Sequence, residues 1–452
     1  MMNKRICATF VAVFALVLSA SADDVYDFFK SYLNGRAKTY QGSKKKMSLK
    51  EVQQNSVAVW KSWRRALRKV EHDTLGRMNK DSLTYVGKWR LPPDLENDAT
   101  MNFTWFSKGA RPSAGYPMFL YLHGSGPREQ EYANGLKLTH AFNDGPSVYF
   151  VPQIPNEGGY YRWWQRAKVW AWQKMLRLAF ASGDIDPDRI YITGISEGAY
   201  GTQRLASFFA DYLAGGGAMA GGEPLKNAPA ENLANTPFSL LTGDHDSGFY
   251  RNTLTKYAKD ALDSLSSAHD SLYVHNVQLL QGCGHAINYY TTTPWLAAHK
   301  RNPYPKYVAW EDFEMDGCRR DGFYNLFVNE SPAVEEGARV FYEETIKGDT
   351  INLKVQKVEY TTVEKDNVWG IEMKFKKKYT PLDNGKITIY LNRILANLSH
   401  RLTVVVNGRQ VFNGKVLENL SSMVNSCAAF GDPRRLYTAQ IDVDIASPAA
   451  EK

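Results

Sequence analysis

The chain has 452 residues, 55 of them Lys or Arg against 47 Asp or Glu, and 44% are hydrophobic. That length and apolar content exclude a disordered chain or a small disulfide-held scaffold, and leave room for two or three domains with their own cores. The positive balance suits an acidic polymer, but no basic arm or nucleic-acid motif accompanies it, so nucleic acid is not an expected partner.

The start, MMNKRICATFVAVFALVLSASA, has a cationic head, an apolar stretch from Ile6 to Leu18 and a small-residue Ala20-Ser21-Ala22 end. This is the pattern of a signal peptide, so residues 1–22 are expected to be removed and the mature protein exported, to the periplasm or beyond. No later run approaches the ~20 apolar residues of a membrane span. Residues 23–82 are expected to be a helical extension, with Ser48-Leu49-Lys50-Glu51 as capping box and Val52, Val59, Trp60, Trp63, Leu67 and Val70 as its apolar face.

LTYVGKWRL and ATMNFTWF read as strands around a turn bearing Pro and Asp. PMFLYLHG and SVYFVPQI are further strands, WWQRAKVWAWQKMLRLAFA a helix, DRIYITG a strand and AYGTQRLASFFADYL a helix. FSLLTG and LYVHNVQLLQG follow as strands. Such alternation predicts an α/β domain over 23–340, a mostly parallel sheet flanked by helices. Beyond it INLKVQKVEYTTV, WGIEMKFKK, GKITIYLN and RLTVVVNGRQVFNGKV are short strands with turn signals such as Asn407-Gly408, and no strong helix is evident. Residues 341–452 are therefore expected to form a small β-sandwich, with the boundary between Glu335 and Asp349.

The chemistry centres on Gly194-Ile195-Ser196-Glu197-Gly198, placed between a strand and a helix as a nucleophile elbow requires. A serine hydroxyl needs an imidazole to take its proton and a carboxylate to hold that imidazole. FSLLTG runs into Asp244-His245-Asp246, and the next strand ends in Gly282-Cys283-Gly284-His285. Of nine histidines, only His285 follows a sheet strand in a glycine-flanked loop downstream of the serine. Asp246 is preferred to Asp244 because it lies further past the strand end. The oxyanion donors are expected to be the Glu197 N–H and a partner from His-Gly-Ser-Gly at 123–126, with Ser125 first and Gly124 or Gly126 as alternatives.

Arg162, Trp163 and Trp164, just before a helix, are candidates for holding an acidic sugar; the tryptophans could equally pack that helix onto the sheet. In an oxidising compartment Cys283 and Cys318, which flank one segment, are paired and Cys427 is left free. No metal or other cofactor is expected, since C-x-x-C, H-E-x-x-H and dense His/Cys clusters are missing.

YLHGSG, GISEGAYG, LLTGDHD and GCGHAINYY, in this order, resemble the α/β-hydrolase fold of esterases and prolyl-oligopeptidase-type hydrolases. With an exported chain and a trailing β-domain, the layout is also similar to a gut-bacterial family of α/β-hydrolase carbohydrate esterases acting as pectin methylesterases. That resemblance implies a methyl-esterified uronic acid in pectin as substrate. Acetyl- or feruloyl-esterase, peptidase and non-catalytic glycan-binding protein are the competing functions.

Overall fold

A computed structural model describes residues 23–78 and 84–446. The expected signal peptide at 1–22 and Leu83, at the start of the first expected strand, lie outside the described residues. Eight strands form the main sheet: β1 (Gly87–Arg90), β2 (Thr100–Lys108), β3 (Tyr116–Leu122), β4 (Ser147–Pro152), β5 (Ile185–Ile195), β6 (Gly215–Met219), β7 (Phe238–Gly243) and β8 (His275–Leu280). Their order is β1-β2-β4-β3-β5-β6-β7-β8. The β1–β2 and β2–β4 pairs are antiparallel, and every later neighbour pair is parallel. Every residue of β3, β4 and β7 is buried, which is why these segments read as unbroken apolar runs.

Two helices precede the sheet, α1 (residues 23–33) and α2 (Leu49–Val70), the latter with the expected Ser48–Glu51 capping box. Within the domain follow α3 (Arg128–Ala141), α4 (Arg166–Ser182), α5 (Glu197–Phe208), α6 (Arg251–Ala268) and α7 (Thr292–Ala297). The fold is the expected α/β arrangement, a mostly parallel sheet flanked by helices. Its strand order reverses around β3, which has β4 on one side and β5 on the other. A crevice opens at the carboxyl ends of β3 and β5 in such a sheet, so topology alone points to the loops after Leu122 and Ile195.

The C-terminal unit is built from two further sheets. One contains β9 (Tyr307–Asp312), β12 (Arg339–Lys347), β13 (Thr350–Lys365), β14 (Glu372–Pro381), β16 (Arg401–Val406) and β17 (Arg409–Lys415). The other contains β10 (Gly322–Phe323), β11 (Leu326–Glu330), β15 (Lys386–Leu391) and β18 (Ala439–Asp444). Trp310, Tyr342, Leu353, Ile389 and Ile441 belong to one buried cluster drawn from both sheets. Two expectations are corrected here. β9 pairs with β12 and β11 with β15, so the all-β unit begins near Tyr307 rather than at 341. It also contains a helix, α8 (Leu420–Phe430), which packs on α2.

Buried charge joins the two units. The Arg435 side chain is fully buried and donates to Asp211 at 2.5 Å, in the segment after α5, and to Asp432 at 2.9 Å. Arg301 pairs with Asp432 at 2.6 Å, and Arg320 with Asp211 at 2.9 Å. The guanidinium of Arg435 also lies 4.0 Å from the Tyr212 ring centre. Removing one member strands its buried partners, so Arg435→Ala is expected to cost about 3–5 kcal/mol. Chemical denaturation checks this; an unchanged midpoint and slope would show that the network holds nothing together.

Candidate active site

Ser196 follows the last residue of β5 and precedes the first residue of α5, with φ 55° and ψ −112°. Such a backbone is uncommon for a side-chain-bearing residue and marks a site where the surrounding structure imposes it. The turn is tight because a Cβ at Gly198 would come within 2.0 Å of the Leu122 carbonyl oxygen. Only glycine lets the start of α5 sit directly on the end of β3.

The Ser196 Oγ lies 3.0 Å from His285 Nε2, and His285 Nδ1 lies 2.7 Å from Asp246 Oδ2. A carboxylate can only accept, so Nδ1–H donates to Asp246 and Nε2 is left to take the serine proton. Asp246 follows β7 and is the acid of the site. Asp244 instead faces His245, at 3.9 Å. Two residues not anticipated from sequence complete the arrangement. Arg251, the first residue of α6, donates to Asp246 Oδ1 through Nε at 2.9 Å and Nη2 at 2.6 Å, and to the Tyr200 hydroxyl at 3.1 Å. Burial pushes the Asp246 carboxyl up, but the hydrogen bonds from Arg251 and His285 outweigh it and hold the group below its ordinary value. Nothing in local periodicity marks Arg251; its meaning depends on a loop five residues upstream folding back.

The loop after β3 borders the nucleophile, since a Cβ at Gly124 would lie 3.5 Å from the Ser196 Cβ. His123 is buried and its Nε2 accepts from the Ile154 N–H at 3.1 Å, so Nδ1–H donates to the Gly124 carbonyl at 2.8 Å. Burial lowers His123 to about 4, which keeps the ring neutral in that tautomer. The Tyr161 hydroxyl donates to the same carbonyl at 2.8 Å, and Trp163 Nε1 donates to the His123 carbonyl at 2.9 Å. In a trans peptide the N–H points opposite to the C=O, so these bonds fix the direction of the Ser125 N–H. Glu197 opens α5, and its N–H has no carbonyl partner within the helix. Ser125 and Glu197 thus lie on the two loops that flank the nucleophile, after β3 and after β5.

The three proposed sugar contacts separate. Trp163 is buried against His123 and α4, a packing role. Arg162 and Trp164 line a cleft of about 450 Å³ together with Glu197, Arg204, Phe249 and Trp369. The Arg204 guanidinium stacks 4.0 Å from the Trp164 ring centre while Arg204 pairs with Glu223 at 2.9 Å. Arg162 lies 3.5 Å from Glu197.

Burial raises the Glu197 carboxyl to about 7 against the opposing pull of Arg162. A folded-state value above the unfolded one means that native Glu197 binds a proton more readily. Stability is therefore lost as pH rises from 4.5 towards 7, and the loss is constant above that. Glu197→Gln is expected to match wild type in thermal melting at pH 4 and to exceed it progressively up to pH 7. A constant difference across this range would show that the carboxyl does not titrate there.

The expected bridge is not formed: Cys283, Cys318 and Cys427 are all free. Cys283 sits in the loop leading to His285, with its thiol 3.8 Å from the Gln281 carbonyl. Cys318 closes a separate turn on Met315, half-buried against the core of the α/β domain, where burial pushes its thiol up. Among the described residues no group of three or more His, Cys, Asp or Glu is placed to hold a metal ion, and no helix is long and apolar enough to cross a membrane.

No known family's sequence profile matches the chain, and no curated protein matches it in sequence. Solved structures similar to part of it include a thermostable esterase, with TM-score 0.36 and 20% identity over 47% of this chain. The chain spans 62% of that esterase's length. A ferulic acid esterase from Anaeromyces mucronatus gives TM-score 0.31 and 15% identity, over 48% of this chain and 93% of its own. A serine hydrolase homologue from Coxiella burnetii gives 0.33 and 15%, over 49% of this chain and 95% of its own.

Proposed function

We propose that the protein is an exported serine carboxylic-ester hydrolase that removes methyl esters from the galacturonic acid of pectin. The observation that carries the hydrolase reading is the unbroken chain from Ser196 Oγ through His285 to Asp246, at 3.0 and 2.7 Å. Ser196 attacks the ester carbonyl while His285 Nε2 takes its proton. The Ser125 and Glu197 N–H groups receive the oxyanion, and His285 returns the proton to the departing alcohol. Water, activated by the same imidazole, then releases the acid.

The size and chemistry of the cleft support the pectic substrate. At about 450 Å³ it has room for a sugar unit, and Trp164 lines it. Arg204 and Lys226 are already committed to Glu223 and Glu372, so Arg162 is the cation left for a neighbouring uronate. With Glu197 raised to about 7, Arg162 faces a carboxyl largely neutral in mildly acidic water. The test is product release from defined polysaccharides. Methanol from methylated oligogalacturonides, with little acetate from acetylated xylan and no ferulate from feruloylated arabinan, is the expected pattern. Acetate or ferulate without methanol overturns the pectic assignment and keeps the esterase.

A further inference from the structure

The turn between β13 and β14, residues 366–371, reaches from the β-domain onto the hydrolase domain. The Asp366 carboxylate accepts from the Val368 and Trp369 N–H groups at 2.9 and 2.6 Å, and from the hydroxyl of Tyr250 at 2.7 Å. The flanking strands are tied as well, with the Tyr257 hydroxyl on Glu364 at 2.7 Å and Lys226 on Glu372 at 2.9 Å. WGIEMKFKK therefore does not begin as a strand: β14 starts at Glu372, and Trp369 belongs to an anchored tip.

Although the tip is anchored, its largest side chain is not packed away. Trp369 is 61% exposed and Phe249 46%, their ring centres 4.8 Å apart and their planes tilted by 49°. Phe249 and Tyr250 both take positive φ, 51° and 57°. Two successive non-glycine residues in that region form an unfavourable arrangement, which here sends Tyr250 to Asp366 and leaves the Phe249 ring in water. An exposed aromatic pair beside a cleft marks a binding surface rather than a core. Both rings line the cleft that contains Trp164 and Glu197, the neighbour of the nucleophile, and Asn227 with the Lys226–Glu372 pair forms a polar edge along it. Apolar faces bordered by donors and acceptors complement a pyranose, which has an apolar C–H face and a hydroxyl rim.

We propose that Trp369 and Phe249 form a platform stacking a sugar ring adjacent to the esterified residue, so that the C-terminal domain supplies one wall of the substrate site. This rests on the glycan-ester reading above. Two measurements separate the two ideas. In Trp369→Ala, kcat/KM on a methylated hexagalacturonide is expected to fall about tenfold more than kcat/KM on p-nitrophenyl acetate, chiefly through KM, with Trp369→Tyr restoring most of it. In the Ser196→Ala background, calorimetry should show the hexamer binding about tenfold more weakly once Trp369 is also alanine. Binding that depends on Trp369 without methanol release would overturn the methylesterase reading and keep the platform. Methanol release with equal hexamer affinity and equal KM in the Trp369 variants would overturn the platform and keep the methylesterase.

Discussion

Ser196→Ala is expected to lower kcat on p-nitrophenyl acetate by about 10⁴-fold or more, leaving only what the backbone donors and substrate binding contribute. The size follows from the geometry. The imidazole at 3.0 Å has one productive partner, and without the hydroxyl it can only assist water. Alanine retains the backbone demand of φ 55° and removes a single oxygen, so the fold should survive, as a melting curve would confirm. A rate within tenfold of wild type in a folded variant would remove serine catalysis, and the ester-hydrolase reading with it.

Asp246→Asn should cost about 10⁴-fold in kcat with substrate affinity little changed. The amide can present its NH₂ to His285 Nδ1, which favours the tautomer carrying the proton on Nε2, the atom that must accept from serine. A second effect is particular to this chain: Arg251 donates two hydrogen bonds to Asp246. With the carboxylate neutralised, the guanidinium charge is no longer balanced and opposes the imidazolium that forms during attack. Asp244→Asn is the contrast, because that carboxylate faces His245 and should leave kcat near wild type. Equal losses in the two variants would mean that the acid has been misassigned.

The elements that place this site were legible because each carries its own local signature. β5, the tight turn at Ser196 and α5 form one contiguous pattern, and Asp246 and His285 each follow an apolar strand within a few residues. Side chains whose role depends on distant partners were not legible. Trp163 resembles its neighbour Trp164 in sequence, but a hydrogen bond to the His123 carbonyl, 40 residues away, draws it into the core. Helix α8 was hidden for a related reason. Ser421, Ser422, Met423, Val424, Ser426, Cys427 and Ala428 are all buried, so no polar face alternates with an apolar one to give a helical period. The domain boundary was missed because β9 and β11 precede the strands they pair with, β12 and β15, and β9, β10 and β11 are too short to carry a period of their own.

The partner of α8 has a consequence for biogenesis. Val25, Phe29, Val59 and Trp63 from the two leading helices share a cluster with Met423, Val424 and Cys427, and the Tyr40 N–H bonds Asn425 across 385 residues. The apolar face of the leading helices is thus covered by a helix far along the chain. Until α8 has been made, that face has no Met423, Val424 or Cys427 to pack on, and a nascent chain interrupted before α8 would present it to chaperones.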